Sequence, residues 1–309
     1  MLKLGQTLQG RLGSYVLASK LQDTVWAATT QHSQNPVIVK YARHWRVRNE
    51  RDMLLQFQDR TPHLRRLLDE VEIADEKEAL ALILNHLDSD ILAVSDRRHL
   101  TRDEVKRVGK GVLLALKVLH GDGFVHTDIK PSNILVNIDP ESDHVTDVQL
   151  ADLESTVHQD SQYAIDGDPI STPIFRSPEA MLQMRWGPPT DVWSFGATLI
   201  SLLYGEGFHM FRPKVPVDHE DYAIGILTKH HHFFGPFPLS YEDIANDEQL
   251  EALAWIMNNT PAEDMTPFRN ISSRELTQAD KQFLLKIMKL DPRDRPTVNQ
   301  LLTDEWFDE

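Results

Sequence analysis

The sequence predicts an α+β fold in two lobes, a small β-rich part followed by a larger helical part. Short β-branched and aromatic runs fill the first third, capped helical patterns dominate the rest, and a polar connector separates them. A length of 309 residues accommodates one large domain or two lobes, at roughly 100–200 residues per domain.

In chain order, Tyr15 to Ala18, Thr24 to Ala28 and Val37 to Tyr41 read as strands, the last preceded by the turn Ser33-Gln34-Asn35-Pro36. A helix is expected from near Arg46 toward Gln58, with Val47, Leu54 and Phe57 on or near one face. Arg66 to Ile73 and Ala79 to Leu84 read as further strands, and the polar stretch from Asn85 to Asp90 as the connector. Beyond it, Thr101-Arg102-Asp103-Glu104 is a capping box. The helix it opens carries Val105, Val108, Val112, Ala115, Leu116 and Leu119 at helical spacing and ends at Gly121 and Gly123. Ile134 to Val136 and Val148 to Leu150 are short strand-like pieces. Thr190-Asp191 opens an apolar helix stopped by Gly205, and Ala279 to Leu290 forms another, ended by Asp291-Pro292. His230-His231-His232 reads as a solvent-exposed loop cluster, and Phe233 to Phe237 as packing.

Composition narrows the function. With 32 Lys and Arg against 47 Asp and Glu, the formal charge is −15, which is the wrong sign for general nucleic-acid binding. It mildly favours basic protein partners through steering. The absence of cysteine excludes disulfides, thiol catalysis and zinc–thiolate sites. No apolar run approaches the ~18–20 residues of a membrane helix, and the opening MLKLGQTLQG lacks a signal-peptide core. The expectation is a soluble protein, cytoplasmic or nuclear, with no membrane or nucleic-acid partner.

The stretch His126-Thr127-Asp128-Ile129-Lys130-Pro131-Ser132-Asn133-Ile134-Leu135 resembles the catalytic loop of protein kinases, H-R-D-L-x-x-x-N. Asp and Asn in a loop more often cap turns, but the flanking His, Lys-Pro and apolar strand make the pattern specific. The resemblance makes Asp128 the carboxylate that orients an attacking hydroxyl, Lys130 a neutraliser of transferred charge, and Asn133 a magnesium ligand. Val37-Ile38-Val39-Lys40 resembles the V-A-I-K strand, so Lys40 is expected at the ATP phosphates and Glu50 as its ion-pair partner. Ala151-Asp152-Leu153-Glu154 stands at the D-F-G position, giving Asp152 as the second metal ligand. Leu17, Val25, Ile38, Leu84, Leu87 and Leu135 are expected around the nucleotide, with Asn85 to Leu87 supplying backbone hydrogen bonds to adenine.

Ser171-Thr172-Pro173-Ile174-Phe175 is similar to the Ser/Thr-kinase segment whose Thr hydroxyl bonds the catalytic Asp and Lys, a role that falls to Thr172. Ser177-Pro178-Glu179 resembles A-P-E, with Glu179 expected to pair with Arg295, and Asp191-Val192-Trp193-Ser194-Phe195-Gly196 resembles the helix whose Asp anchors the catalytic loop. The resemblance covers about residues 12–307 and implies one bilobal kinase domain over 1–309, an N-lobe over about 12–87, a hinge near 85–90 and a C-lobe over about 88–309. Trp186 to Asp191, Phe234 to Pro238 and Asp304 to Phe307 resemble the group of cyclin-dependent, MAP and SR-protein kinases, and the large lobe resembles fungal kinase-like proteins.

The sequence departs from the pattern in four respects. Ala18, Lys20 and Asp23 stand where three phosphate-loop glycines belong; Asp23 would repel phosphates and Lys20 would compensate. Leu153-Glu154 replaces Phe-Gly; Glu154 reads by default as a solvated charge, with an extra magnesium ligand as the alternative. Ile38 replaces an alanine above adenine, and Thr127 replaces the arginine that holds a phosphorylated activation segment. The implied function is a Ser/Thr protein kinase of low activity using ATP and Mg2+ on protein substrates. A pseudokinase acting as a binding or scaffold module for regulatory protein partners is the alternative, and a kinase-fold small-molecule phosphotransferase a minor one.

Overall fold

The structure, a computed structural model, describes residues 2–73 and 79–308. They group into two units, Met1–Ser89 with Leu135–Thr156, and Asp90–Ile134 with Val157–Glu309.

The first unit is built on strands β1 (Thr7–Gln9), β2 (Ser14–Lys20), β3 (Val25–Thr30), β4 (Pro36–Ala42), β5 (Leu67–Glu72) and β6 (Leu80–Asn85). They form one antiparallel sheet in the order β1-β2-β3-β4-β6-β5. Period-two alternation gives the sheet two faces. Leu8, Tyr15, Leu17, Trp26, Ala28, Val37, Val39, Ala81 and Ile83 pack into a core on one of them. The register Val25–Lys40–Leu82 and Ala27–Ile38–Leu84 sets the other face. β1 has no sequence counterpart among the expected strands, because three residues show no periodicity. Its turn into β2 is held by Asp69, whose carboxylate accepts from Arg11 N, Leu12 N and Tyr15 Oη at 3.2, 2.8 and 2.9 Å. A Cβ at Gly10 would collide with that carboxylate.

Helix α1 (Trp45–Phe57) lies where the apolar spacing puts it, with Val47, Leu54 and Phe57 buried. Strands Ile134–Ile138 and Val145–Leu150 lead to the single turn Leu153–Ser155. Backbone hydrogen bonds Leu150 N to His63 O (2.7 Å) and Arg65 N to Leu150 O (2.9 Å) tie residues 135–156 to the first unit.

The second unit is helical: α2 (Ile91–Arg97), α3 (Arg102–Gly121), α4 (Gln162–Ile165), α5 (Pro178–Met181), α6 (Pro188–Tyr204), α7 (Tyr222–Phe234), α8 (Asp247–Asn258), α9 (Gln278–Ile287) and α10 (Val298–Leu302). The expected capping box opens α3: Glu104 N donates to Thr101 Oγ1 (3.2 Å) and Thr101 N to Glu104 Oε2 (2.9 Å). From Thr190 to Leu202, α6 is buried all round, with Asp191 as its one charged side chain, and Gly205 at φ +69° ends it. α9 stops at Ile287 rather than Leu290: the backbone leaves the helical conformation at Met288 (ψ 51°), and the Arg295 guanidinium takes the carbonyls of Lys289 and Leu290 at 2.8 and 3.0 Å. Among the described residues, no helix is long and apolar enough to cross a membrane.

The loop expected at His230-His231-His232 is instead the last turns of α7. Apolar residues on both sides continue the helical period, and the histidines fall partly on the core face. His230 is 0% exposed and meets Trp193 and Phe211 edge-on, at ring distances of 4.8 and 4.5 Å. Phe234 stacks on Phe268 at 5.1 Å, so this aromatic segment does serve packing.

Burial, with Arg295 adding, pushes His230 from its ordinary 6.5 down to about 3. The folded chain holds His230 neutral, whereas the unfolded chain binds a proton near pH 6.5. Stability therefore falls as pH drops from about 6.5 toward 3. Neither ring nitrogen has a hydrogen-bond partner, so His230→Leu forfeits none. Between pH 7 and pH 5 the wild type is expected to lose about 2 kcal/mol more urea stability than His230→Leu. Equal losses would refute the assignment.

Candidate active site

In the first unit, three carboxylates converge on one ammonium. Lys40 projects from β4 on the face shared with Val25, Ile38 and Leu84. Its Nζ lies 2.8 Å from Glu50 of α1, 2.6 Å from Asp152 and 2.8 Å from Glu154. Asp152 sits at φ +68°, a left-handed conformation that Asp tolerates, and so opens the turn that brings Glu154 round. Burial alone would lower the Lys40 pKa, but Glu50, Asp152 and Glu154 together outweigh it and hold the ammonium well above its ordinary range. Glu50 is 1% exposed, and burial raises its carboxyl pKa against the pull of Lys40.

Glu154 is therefore not a solvated charge: it pairs with Lys40 and lies 3.9 Å from Arg46. Its backbone is fastened to α1, since Asn49 Nδ2 donates to the carbonyls of Glu154 and Thr156 at 3.1 and 2.9 Å. Neither Asn49 nor Arg46 was singled out in the sequence; with a single glutamate in place of glycine, nothing local announced their use.

The walls expected around a nucleotide divide. Val25, Ile38 and Leu84 share the Lys40 face, and the bulk of Ile38 is met by the small Ala27 opposite it. Leu17 pairs with Ala28, which places it on the other face, inside the core with Tyr15 and Trp26. A shift in register between Leu17 and Ser19 breaks the simple alternation that the motif spacing assumes. Leu87 is buried and Leu135 half-buried.

Asn85 also departs from expectation. Its N–H donates to Arg66 O (2.9 Å), and its carbonyl accepts from Arg65 Nε (3.1 Å), so both backbone groups are engaged within the unit. Burial pushes Arg65 down to about 10, opposed by Glu50 and Asp152. Arg65 was missed; its one signal was a basic doublet, Arg65-Arg66, directly before an apolar strand. In the β2–β3 turn, Lys20 pairs with the fully exposed Asp23 at 2.9 Å. The charge expected to offset Asp23 toward phosphates is thus directed at Asp23 itself.

The second unit assembles the other candidates. Asp128 Oδ1 accepts from Thr172 N (3.0 Å) and Thr172 Oγ1 (3.2 Å), and Lys130 Nζ lies 2.7 Å from Asp128 Oδ2. Lys130 also donates to Thr172 Oγ1 (3.0 Å). Asn133 Nδ2 donates to Asp128 O (2.9 Å) and Oδ2 (3.0 Å), which turns its carbonyl end away from Asp128. The loop is fixed from beneath: Asp191 Oδ2 accepts from His126 N (2.8 Å) and Oδ1 from Thr127 N (2.9 Å). This grip holds Thr127 at φ +73°, a conformation β-branched residues avoid. Thr127 is buried, so the position presents no charge to a phosphate. Glu179 and Arg295 form the expected pair, bidentate at 2.7 and 2.8 Å.

Comparison with known proteins places the chain in a family. The family pattern described as protein kinase domain matches residues 9–307. The chain is 26% identical over 242 residues to "CTD kinase subunit alpha" of Schizosaccharomyces pombe, covering 77% of this chain and 37% of that protein. It is 27% identical over 231 residues to "Mitogen-activated protein kinase hog1" of Trichoderma harzianum, covering 74% and 59%. To human "Dual specificity protein kinase CLK4" it is 24% identical over 236 residues, covering 67% and 45%. The chain thus spans between about a third and three-fifths of these relatives' lengths. The chain belongs to the protein kinase family, with that family's α+β fold.

Proposed function

We propose that the chain is a Ser/Thr protein kinase of low activity, transferring the γ-phosphoryl group of ATP to protein hydroxyls with Mg2+. The observation that carries this reading is the Asp128 carboxylate, shared by Lys130, Thr172 and Asn133 within hydrogen-bonding or ion-pair distance. A carboxylate so fixed can orient a hydroxyl and take its proton. Lys130 neutralises charge beside it, and Thr172 holds Asp128 and Lys130 in place. Lys40, positioned by Glu50, is the cation for nucleotide phosphates. Asp152 and the carbonyl end of Asn133 are hard oxygen donors of the type Mg2+ takes. When bound, the ion supplies charge neutralisation on phosphate oxygens. We read residues 1–309 as one kinase domain whose lobes divide near 85–90, working on proteins in the cytosol or nucleus, with neither membrane nor nucleic acid as partner.

Two observations favour a second reading, a pseudokinase that binds or scaffolds other proteins. Glu154 pairs with Lys40, and Arg65 takes the Asn85 carbonyl.

Calorimetric titration of ATP separates the two, with and without magnesium, on wild type and Asp152→Asn. The kinase reading expects magnesium-dependent binding that weakens at least tenfold in Asp152→Asn. No binding at millimolar ATP would favour the scaffold.

A further inference from the structure

The cation assigned to phosphates is already surrounded by carboxylates, and one of them has somewhere else to go. Glu50 is enclosed at 1% exposure on α1, and Asp152 makes the hydrogen bond to Lys40 at 2.6 Å. The Glu154 side chain is 27% exposed, 2.8 Å from Lys40 on one side and 3.9 Å from Arg46 on the other. Asn49 pins the backbone of this turn, so a change of partner needs only the side chain to move. Leaving Lys40 for Arg46 exchanges one cation for another, and Glu154 Oε1 already stands 3.9 Å from Arg46 Nη1.

We propose that Glu154 is an internal competitor for Lys40, its carboxylate holding the place of an incoming polyphosphate oxygen until it swings to Arg46. Glu154 and Arg46 together thereby set how tightly the chain binds nucleotide phosphates. This deepens the kinase reading and rests on its assignment of Lys40. A glycine at this position would leave Lys40 to two carboxylates; the glutamate adds a third of the same charge as the ligand. The isolated chain therefore binds phosphates weakly, and weakening the Lys40–Glu154 pair strengthens that binding.

The test uses tripolyphosphate as the probe, with chelator present, in calorimetric titrations of the full chain. Glu154→Gln keeps the side chain's shape and removes its charge. It is expected to bind tripolyphosphate at least tenfold more tightly than wild type, since an ionic hydrogen bond no longer has to be displaced. Glu154→Gln/Lys40→Met is expected to lose that gain, and Arg46→Ala to bind at least threefold more weakly than wild type. Equal affinities for wild type and Glu154→Gln would overturn the proposal, as would a gain that survives Lys40→Met. Thermal midpoints of all forms verify folding, and Glu154→Gly serves as a second charge-free variant. Phosphoryl transfer is read separately. Tighter binding by Glu154→Gln with no transfer by any form keeps the competitor and removes the kinase reading. Transfer by wild type with no gain in Glu154→Gln does the reverse.

Discussion

Asp128→Asn is expected to lower phosphoryl transfer to a protein substrate by about 10²–10⁴-fold, the range set by positioned proton transfer, with little change in ATP affinity. The amide keeps the size of the carboxylate but can take no proton from a hydroxyl. It also rearranges the local contacts. Oδ1 now accepts two hydrogen bonds from Thr172, while Oδ2 serves Asn133 and lies 2.7 Å from Lys130. An asparagine Nδ2 in either place faces two donors, so at least one contact is lost whichever way the amide turns. Lys130 and Thr172 keep their mutual bond of 3.0 Å, which limits the disturbance to the Asp128 side chain. Transfer and ATP binding measured on the same preparation decide the matter. Undiminished transfer would remove Asp128 from the chemistry, and a parallel loss of ATP binding would make its role structural.

The second unit's cluster was legible because its residues are close in sequence or carried by rigid motifs. Asp128, Lys130 and Asn133 lie within six positions, and Pro173 and Pro178 frame the Thr172 segment. Asp191 was readable for the same reason: it stands in the motif Asp191 to Gly196, whose Asp the resemblance assigned to the loop backbone, and the structure places it under the N–H groups of His126 and Thr127. The fold followed from equally local signals, the capping box of α3 and the β-branched, aromatic or apolar runs of β3, β4 and β6.

What escaped was set by long-range contacts. Leu17 changed faces because one register shift inverts a strand's alternation, and no composition rule marks where a strand bulges. Arg65 and Asn85 meet 20 positions apart, and Glu154 reaches Lys40 across 114. A charged residue in a departing motif has no sequence neighbour to reveal its partner, so solvation was the natural expectation. The histidines of α7 failed for a related reason: three polar residues in a row suggest solvent, while the helical period around them was the stronger evidence.

Arg295→Ala is expected to cost about 3–5 kcal/mol of unfolding free energy, the range for breaking a buried ion pair by removing one partner. The guanidinium has no solvent-exposed surface, and Glu179 is 2% exposed, so its carboxylate would be left buried without its cation. The same side chain holds the carbonyls of Pro189, Lys289 and Leu290 at 2.9, 2.8 and 3.0 Å and stands 5.1 Å from the Trp193 ring. Glu179→Gln removes the charge but keeps an acceptor, and is expected to lose less. Urea unfolding at pH 7 measures both, and a loss below about 1 kcal/mol for Arg295→Ala would show the pair to be dispensable. The variant also tests the link to α7. Arg295 is one of the two causes that hold His230 neutral, the other being burial. Removing Arg295 relieves only the smaller of them, so burial should still keep His230 neutral at pH 5 and its share of the pH 7 to pH 5 stability loss should persist in Arg295→Ala. His230→Leu removes that share, so Arg295→Ala and Arg295→Ala/His230→Leu should differ in that loss by about as much as wild type and His230→Leu do.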